Sequence, residues 1–178
     1  MKILNTKKED ELDWNYLTSV LDYDINTGIF TNKKDRSNSA LKGNVAGNSD
    51  KVTSNKYLEI YLNKYHYAAH RLAWFYCFKE WPNGLIDHID GNKSNNSLDN
   101  LRECTYSENF YNSNRRKDNS SGYKGVSMDK RSNKYRAYIN VAGKQKGLGY
   151  YNTAEEAGEA YQKAAKELHG EFYNALTS

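Results

Sequence analysis

The chain has 178 residues, 26 lysines and arginines against 22 acids, a formal net charge of +4 and a mean hydropathy of −0.98. That length accommodates one or two small domains. No stretch nears the roughly 18 apolar residues of a membrane span, and residues 1–5 lack the apolar core of a signal peptide, so a cytoplasmic protein without membrane contact is expected.

Residues 10–22 mix acids with Leu12, Trp14, Leu17 and Leu21 and predict a short amphipathic helix. Asn26-Thr27-Gly28, between apolar residues, predicts a tight turn in a hairpin over 23–31. Residues 32–55 are polar and read as a loop with a short strand near Val45. A second hairpin is expected over 57–69, turning at Asn63-Lys64. Residues 70–79 predict a helix, closed by Pro82 and Gly84. Two strands follow, at 85–88 and 101–105, joined by a loop rich in Asn, Ser and Gly. Ser107 is the expected cap of a short helix reaching about Asn112.

Residues 113–121 lack periodicity and mark the best domain boundary. Beyond it, strands are expected over 123–128, 135–141 and 145–150. A last helix starts at Thr153, with Glu156 completing a capping box. Its expected apolar face is Ala157, Ala160, Tyr161, Ala164 and Leu168, and Gly170 ends it. Cys77 and Cys104 form no CxxC pair and read as buried free thiols, so no structural zinc is expected.

Charge is unevenly spread. Residues 1–28 hold six acids and three lysines, whereas residues 115–150 hold ten basic residues and two acids. This asymmetry predicts a nucleic-acid-binding segment. Arg115 and Arg116 are expected to bind DNA, and the expected phosphate contacts are Lys124, Lys130, Arg131, Lys134, Lys144 and Lys146. Period-two logic turns Ala137, Ile139 and Val141 inward and Arg136, Tyr138 and Asn140 outward, where they can reach base edges.

Asp87-His88-Ile89-Asp90-Gly91 carries the most information, with Asn100 twelve residues after the histidine and Asn109 nine further on. A carboxylate, an imidazole and two carboxamides within 23 residues can serve metal-assisted phosphodiester cleavage. Read as Asp87-His88…Asn100…Asn109, the stretch resembles the phage-type branch of the HNH nucleases. The resemblance implies a ββα-metal unit binding one divalent cation, Mg²⁺ or Mn²⁺. In it His88 is the general base, Asp87 and Asn109 are metal ligands, and Asn100 hydrogen-bonds the histidine. His70, in His70-Arg71-Leu72, also fits the pattern and is taken as structural, with phosphate contact by His70 or Arg71 as the alternative.

Residues 122–174 resemble the AP2 DNA-binding domain. The matching residues are Gly122-Tyr123-Lys124-Gly125-Val126, Tyr135-Arg136-Ala137-Tyr138-Ile139, 148–157 and Ala160-Tyr161. That resemblance implies a three-stranded antiparallel sheet packed on one helix, its exposed face laid into double-stranded DNA.

The expected architecture is α+β: residues 1–55 as a helix, hairpin and loop region, 56–114 as the nuclease domain, 115–121 as a basic linker and 122–178 as the DNA-binding domain. The expected function is that of a monomeric, metal-dependent DNA endonuclease of the homing or free-standing type that nicks one strand. The alternatives are a non-catalytic DNA-binding regulator and, less favoured, an RNA-binding protein.

Overall fold

A computed structural model of the chain describes residues 7–47, 57–113 and 119–173. They fall into two compact units, Met1–Cys104 and Thr105–Ser178, built from small antiparallel sheets and several helices. None of the described helices is long and apolar enough to cross a membrane.

The first unit contains α1 (Lys7–Asp10), α2 (Trp14–Val20), β1 (Leu21–Asp24), β2 (Ile29–Asn32), β3 (Glu59–Leu62), β4 (Tyr65–Ala68), α3 (Ala69–Phe78), β5 (Leu85–His88) and β6 (Leu101–Cys104). Its strands pair as three antiparallel hairpins, β1–β2, β3–β4 and β5–β6. Asp13 caps α2 by accepting a hydrogen bond from the Tyr16 amide at 2.8 Å. The helix expected over 10–22 stops at Val20. From there Leu21 and Tyr23 are buried while Asp22 and Asp24 are exposed, and this period-two pattern makes a strand paired with β2.

The turn after β1 forms where Asn-Thr-Gly predicts it. Asp24 Oδ1 accepts from the Asn26 amide at 2.9 Å and the Thr27 amide at 3.3 Å, and Gly28 takes φ +71°. A Cβ on Gly28 would lie 2.2 Å from both the Asn96 carbonyl carbon and the Ser97 nitrogen. Gly28→Ala should therefore destabilise the fold by about 2–4 kcal/mol, through backbone strain and overpacking together. Chemical denaturation checks this, and a loss within experimental error would contradict the close approach.

Val45 makes only an isolated bridge to Thr31. The β3–β4 turn falls on Asn63 and Lys64, both at positive φ, as expected. Leu17, Leu21, Phe30, Ile60, Leu62, Tyr67 and Leu72 are fully buried around these hairpins and α3. Each contributes about 1.5–3 kcal/mol by leaving water. Cys104 is buried, but Cys77 is only half-buried, because it sits near the open end of α3.

The second unit contains α4 (Tyr106–Asn112), β7 (Val126–Asp129), β8 (Lys134–Val141), β9 (Lys144–Tyr151) and α5 (Ala154–His169). Thr105, not Ser107, caps α4, in a reciprocal capping box with Glu108. The sheet runs β7-β8-β9, with a tight turn at Ala142 and Gly143 and a bulge that inserts Leu148 opposite Ala137/Tyr138. Gly125 (φ +70°), just before β7, lets the chain lie close against β8 and α5: a Cβ there would meet the Tyr161 ring at 2.2 Å and the Tyr138 carbonyl oxygen at 2.5 Å.

Thr153 and Glu156 form the expected capping box of α5. The buried stripe of α5 differs from expectation. It follows the i, i+4 row Ala157, Tyr161, Ala165 and His169, while Leu168 is 39% exposed. His169 holds the inward position because its Nε2 bonds the Asn140 carbonyl at 3.0 Å and its ring stacks on Tyr111 at 3.8 Å.

Candidate active site

His88 is the last residue of β5, and its carbonyl accepts from the Gly91 amide at 2.8 Å to turn the chain sharply. Asp87 and His88 are both buried, at 5% and 4% exposure. Neighbours on a strand point to opposite faces, and the hairpin is covered on both. On one face Asp87 pairs across the ladder with Arg102, whose Nη2 and Nε lie 2.8 and 3.0 Å from Oδ2. On the other, His88 meets Asn96, Tyr57 and His70. Its Nε2 lies 3.1 Å from Asn96 Oδ1, Tyr57 stacks at 5.9 Å, and His70 makes an edge contact at 5.2 Å.

Asn100 does not have the role expected of it. Its Nδ2 donates to Asp90 Oδ1 (3.0 Å) and the Asn95 carbonyl (2.8 Å), and its Oδ1 accepts from the Asp90 amide (3.0 Å). Its main-chain carbonyl accepts from the Ile89 amide at 2.9 Å. Asn100 thus closes the loop between β5 and β6, and Asn96 makes the hydrogen bond to the histidine. Asp90, bonded by Asn92, Asn95 and Asn100, is the loop's anchor, and these bonds hold its carboxyl below the usual range despite burial.

Burial pushes the His88 imidazole below its ordinary pKa, opposed by Asn96, Asp90 and Asp87. A neutral ring at neutral pH is the form a general base needs. His70 is driven further, to about 3, by burial and by the His88 and Arg71 charges; its Nδ1 has no hydrogen-bond partner among the described residues. It is thus a buried neutral ring packed against Tyr57 and His88. Arg71, named with His70 in the alternative of a phosphate contact, is taken by buried Glu9, with Nε–Oε1 at 2.7 Å and Nη2–Oε2 at 3.2 Å.

His70 has a consequence for acid stability. Its folded pKa lies below the unfolded value of about 6.5, so the unfolded state takes the proton first. Its stability contribution is complete above about pH 6.5 and is lost as pH falls toward 3. His70→Gln should retain about 3 kcal/mol more of its neutral-pH stability than the parent at about pH 4. Parallel denaturation at neutral and acid pH measures this; equal losses in the two proteins would contradict it.

Asn109 lies half-buried on α4, its amide bonded to the Thr105 carbonyl at 3.0 Å. Among the described residues no group of three or more His, Cys, Asp or Glu gathers. The donors that the motif supplies are the oxygens of one carboxylate and one carboxamide, which suit a hard divalent cation with its other positions left to water and phosphate. Asp87 and Asn109 each supply an oxygen donor of the kind such a cation takes, and Asp87 is paired with Arg102 on the face of the hairpin away from His88.

On the second unit, Lys130, Arg131, Lys134, Lys144 and Lys146 are exposed. Arg136 lies over the Tyr138 ring and donates to Gln145 Oε1 at 3.3 Å. Asn140 lines a cavity of about 470 Å³ with Phe110 and Tyr111 of α4, so that helix bounds access to it. Lys124 departs from its expected phosphate contact. Its Nζ turns inward to the Tyr111 and Ser113 carbonyls, at 2.7 and 2.5 Å, and caps the C-terminal end of α4. Burial lowers its pKa to about 8. Arg115 and Arg116 lie outside the described residues.

A family profile described as HNH endonuclease matches residues 67–111, which span α3, β5, β6 and most of α4. Protein 3.8 of Escherichia phage T7 is 40% identical over 92 residues, which are 51% of this chain and 75% of that protein. The chain belongs to the same family as this phage protein and carries an HNH endonuclease domain. The uncharacterized HNH endonuclease L560 of Acanthamoeba polyphaga mimivirus is 39% identical over 87 residues, 49% of the chain but only 44% of that protein. No solved structure gives a significant match. Arg102 and Asn96, inside the matched stretch, and Tyr57, before it, carry no signal in the motif. Asn96 is one of several asparagines in its loop, and only the folded loop singles it out.

Proposed function

We propose that this protein is a metal-dependent DNA endonuclease of the HNH homing or free-standing type, a site-preferring nickase that acts as a monomer. The observation that carries the reading is the buried, neutral His88 at the end of β5, its ring held by Asn96, next in sequence to a carboxylate fixed by Arg102. Residues 56–114 form the nuclease domain in this reading, and residues 122–178 hold the DNA.

His88 accepts the proton of a water molecule as that water attacks phosphorus, and the 3′ oxygen departs. Asp87 and Asn109 would hold one Mg²⁺ or Mn²⁺, which when bound neutralises charge on the phosphate and on the departing oxygen. Asn100 and Asp90 keep the β5–β6 loop closed so that His88 stays at its mouth.

A three-stranded sheet backed by one helix supports the reading of residues 122–174 as an AP2-like DNA-binding domain. Lys130, Arg131, Lys134, Lys144 and Lys146 would contact phosphates, and Arg115 and Arg116, earlier in the chain, would add to the DNA contact; Arg136, Tyr138 and Asn140 would meet bases. Replacing Lys144 and Lys146 by glutamine should weaken binding across all sequences. The slope of log affinity against log salt should become shallower by about 0.9 for each phosphate left without its lysine. An unchanged slope would remove them from the interface.

Incubation with supercoiled plasmid in Mg²⁺ or Mn²⁺, with EDTA as control, tests the activity. Open circles are expected only with metal. Direct linearisation would replace the nickase by a double-strand cutter, and salt-sensitive binding without cutting in either metal would replace the enzyme by a regulator.

A further inference from the structure

We propose that Asn96 is a positioning residue for His88 and that the N-terminal hairpin β1–β2 keeps it in place. The catalytic consequence rests on the nuclease reading; the structural contact does not.

A neutral imidazole carries its proton on either nitrogen, and the partner of one nitrogen decides where the lone pair sits. Asn96 Oδ1 lies 3.1 Å from His88 Nε2, while Asn96 Nδ2 faces the Ser94 carbonyl at 3.5 Å. This orientation makes Nε2–H the donor and Nδ1 the basic nitrogen. Asn96 is 1% exposed, so water does not replace it readily.

The residue is held from behind by a segment with no chemistry of its own. The Tyr23 hydroxyl donates to the Asn96 carbonyl at 2.7 Å. Burial pushes that hydroxyl's pKa well up, so it remains a donor at every working pH. The Leu98 amide donates to the Ile25 carbonyl at 3.0 Å, and Gly28 lies flat against the Asn96–Ser97 peptide. One hairpin thus fixes, through Tyr23, Ile25 and Gly28 together, the loop residue that orients the base. A base held in one orientation keeps an advantage that a rotating one loses.

The test compares wild type with Asn96→Ala, Asn96→Asp and Tyr23→Phe. Imidazole nitrogen NMR at mildly alkaline pH, with the signal assigned by its loss in His88→Ala, reads the tautomer directly. Wild type and Asn96→Asp should show Nε2 protonated, and Asn96→Ala should show a mixture. In plasmid cleavage, Asn96→Ala should lower kcat about 10- to 100-fold with little change in KM. Asn96→Asp should recover most of that loss, and Tyr23→Phe should give a smaller fall in the same direction. Unchanged nitrogen shifts in Asn96→Ala would overturn the proposal, as would an Asn96→Asp protein that is folded but no better than Asn96→Ala. If wild type cuts no DNA, the nuclease reading fails, and the nitrogen shifts still decide whether Asn96 sets the tautomer.

Discussion

Arg102→Ala should lower the unfolding free energy by about 3–5 kcal/mol, the range seen when one partner of a buried ion pair is removed. Asp87 is 5% exposed, and the guanidinium meets its Oδ2 through two nitrogens. Removing Arg102 takes away the cation that offsets the carboxylate's desolvation. With total stabilities of about 5–15 kcal/mol, that is a large fraction of the fold's margin. Arg102→Lys should recover only part of the loss, because an ammonium cannot reproduce the planar fork. Asp87→Asn combined with Arg102→Met should lose less than the sum of the two single changes, since the pair is removed together. Urea denaturation of wild type and these five variants measures this, and a loss below about 1 kcal/mol in Arg102→Ala would show that the pair is not desolvated.

His88→Ala should reduce DNA cleavage by about 10²- to 10⁴-fold, the usual contribution of a positioned general base. DNA affinity should stay near wild type, because the residues proposed to meet DNA all lie beyond residue 114. The variant leaves a cavity beside Tyr57 and His70, so its folding must be checked by circular dichroism before its activity is read. Loss of binding together with cleavage would point to a structural role for the imidazole.

Order along the chain was legible wherever local chemistry decides it. The Asn63-Lys64 turn, the Thr153–Glu156 capping box and the strand, loop, strand and helix sequence around His88 needed no tertiary information. Positions set by tertiary contact were not legible. Trp14, Leu17 and Leu21 share a helical spacing, and only pairing with β2 turns Leu21 into a strand residue. The loop between β5 and β6 hides the register, so the Asp87–Arg102 pair emerges only in the fold. The spacing of the motif picks out Asn100, yet the loop's closure gives the contact with His88 to Asn96. Lys124 looked like its basic neighbours until its ammonium met the carbonyls at the end of α4. Leu168 and His169 exchange places because a ring that both stacks and hydrogen-bonds outcompetes a leucine at the helix end.

The most direct measurement is a time course on supercoiled plasmid with wild type and His88→Ala side by side, each with Mg²⁺, Mn²⁺ or EDTA, with retardation of the same DNA recorded in parallel. Metal-dependent open circles are expected from wild type alone, with equal retardation by both proteins. Cutting by His88→Ala at the wild-type rate, or cutting by wild type in EDTA, would contradict this expectation.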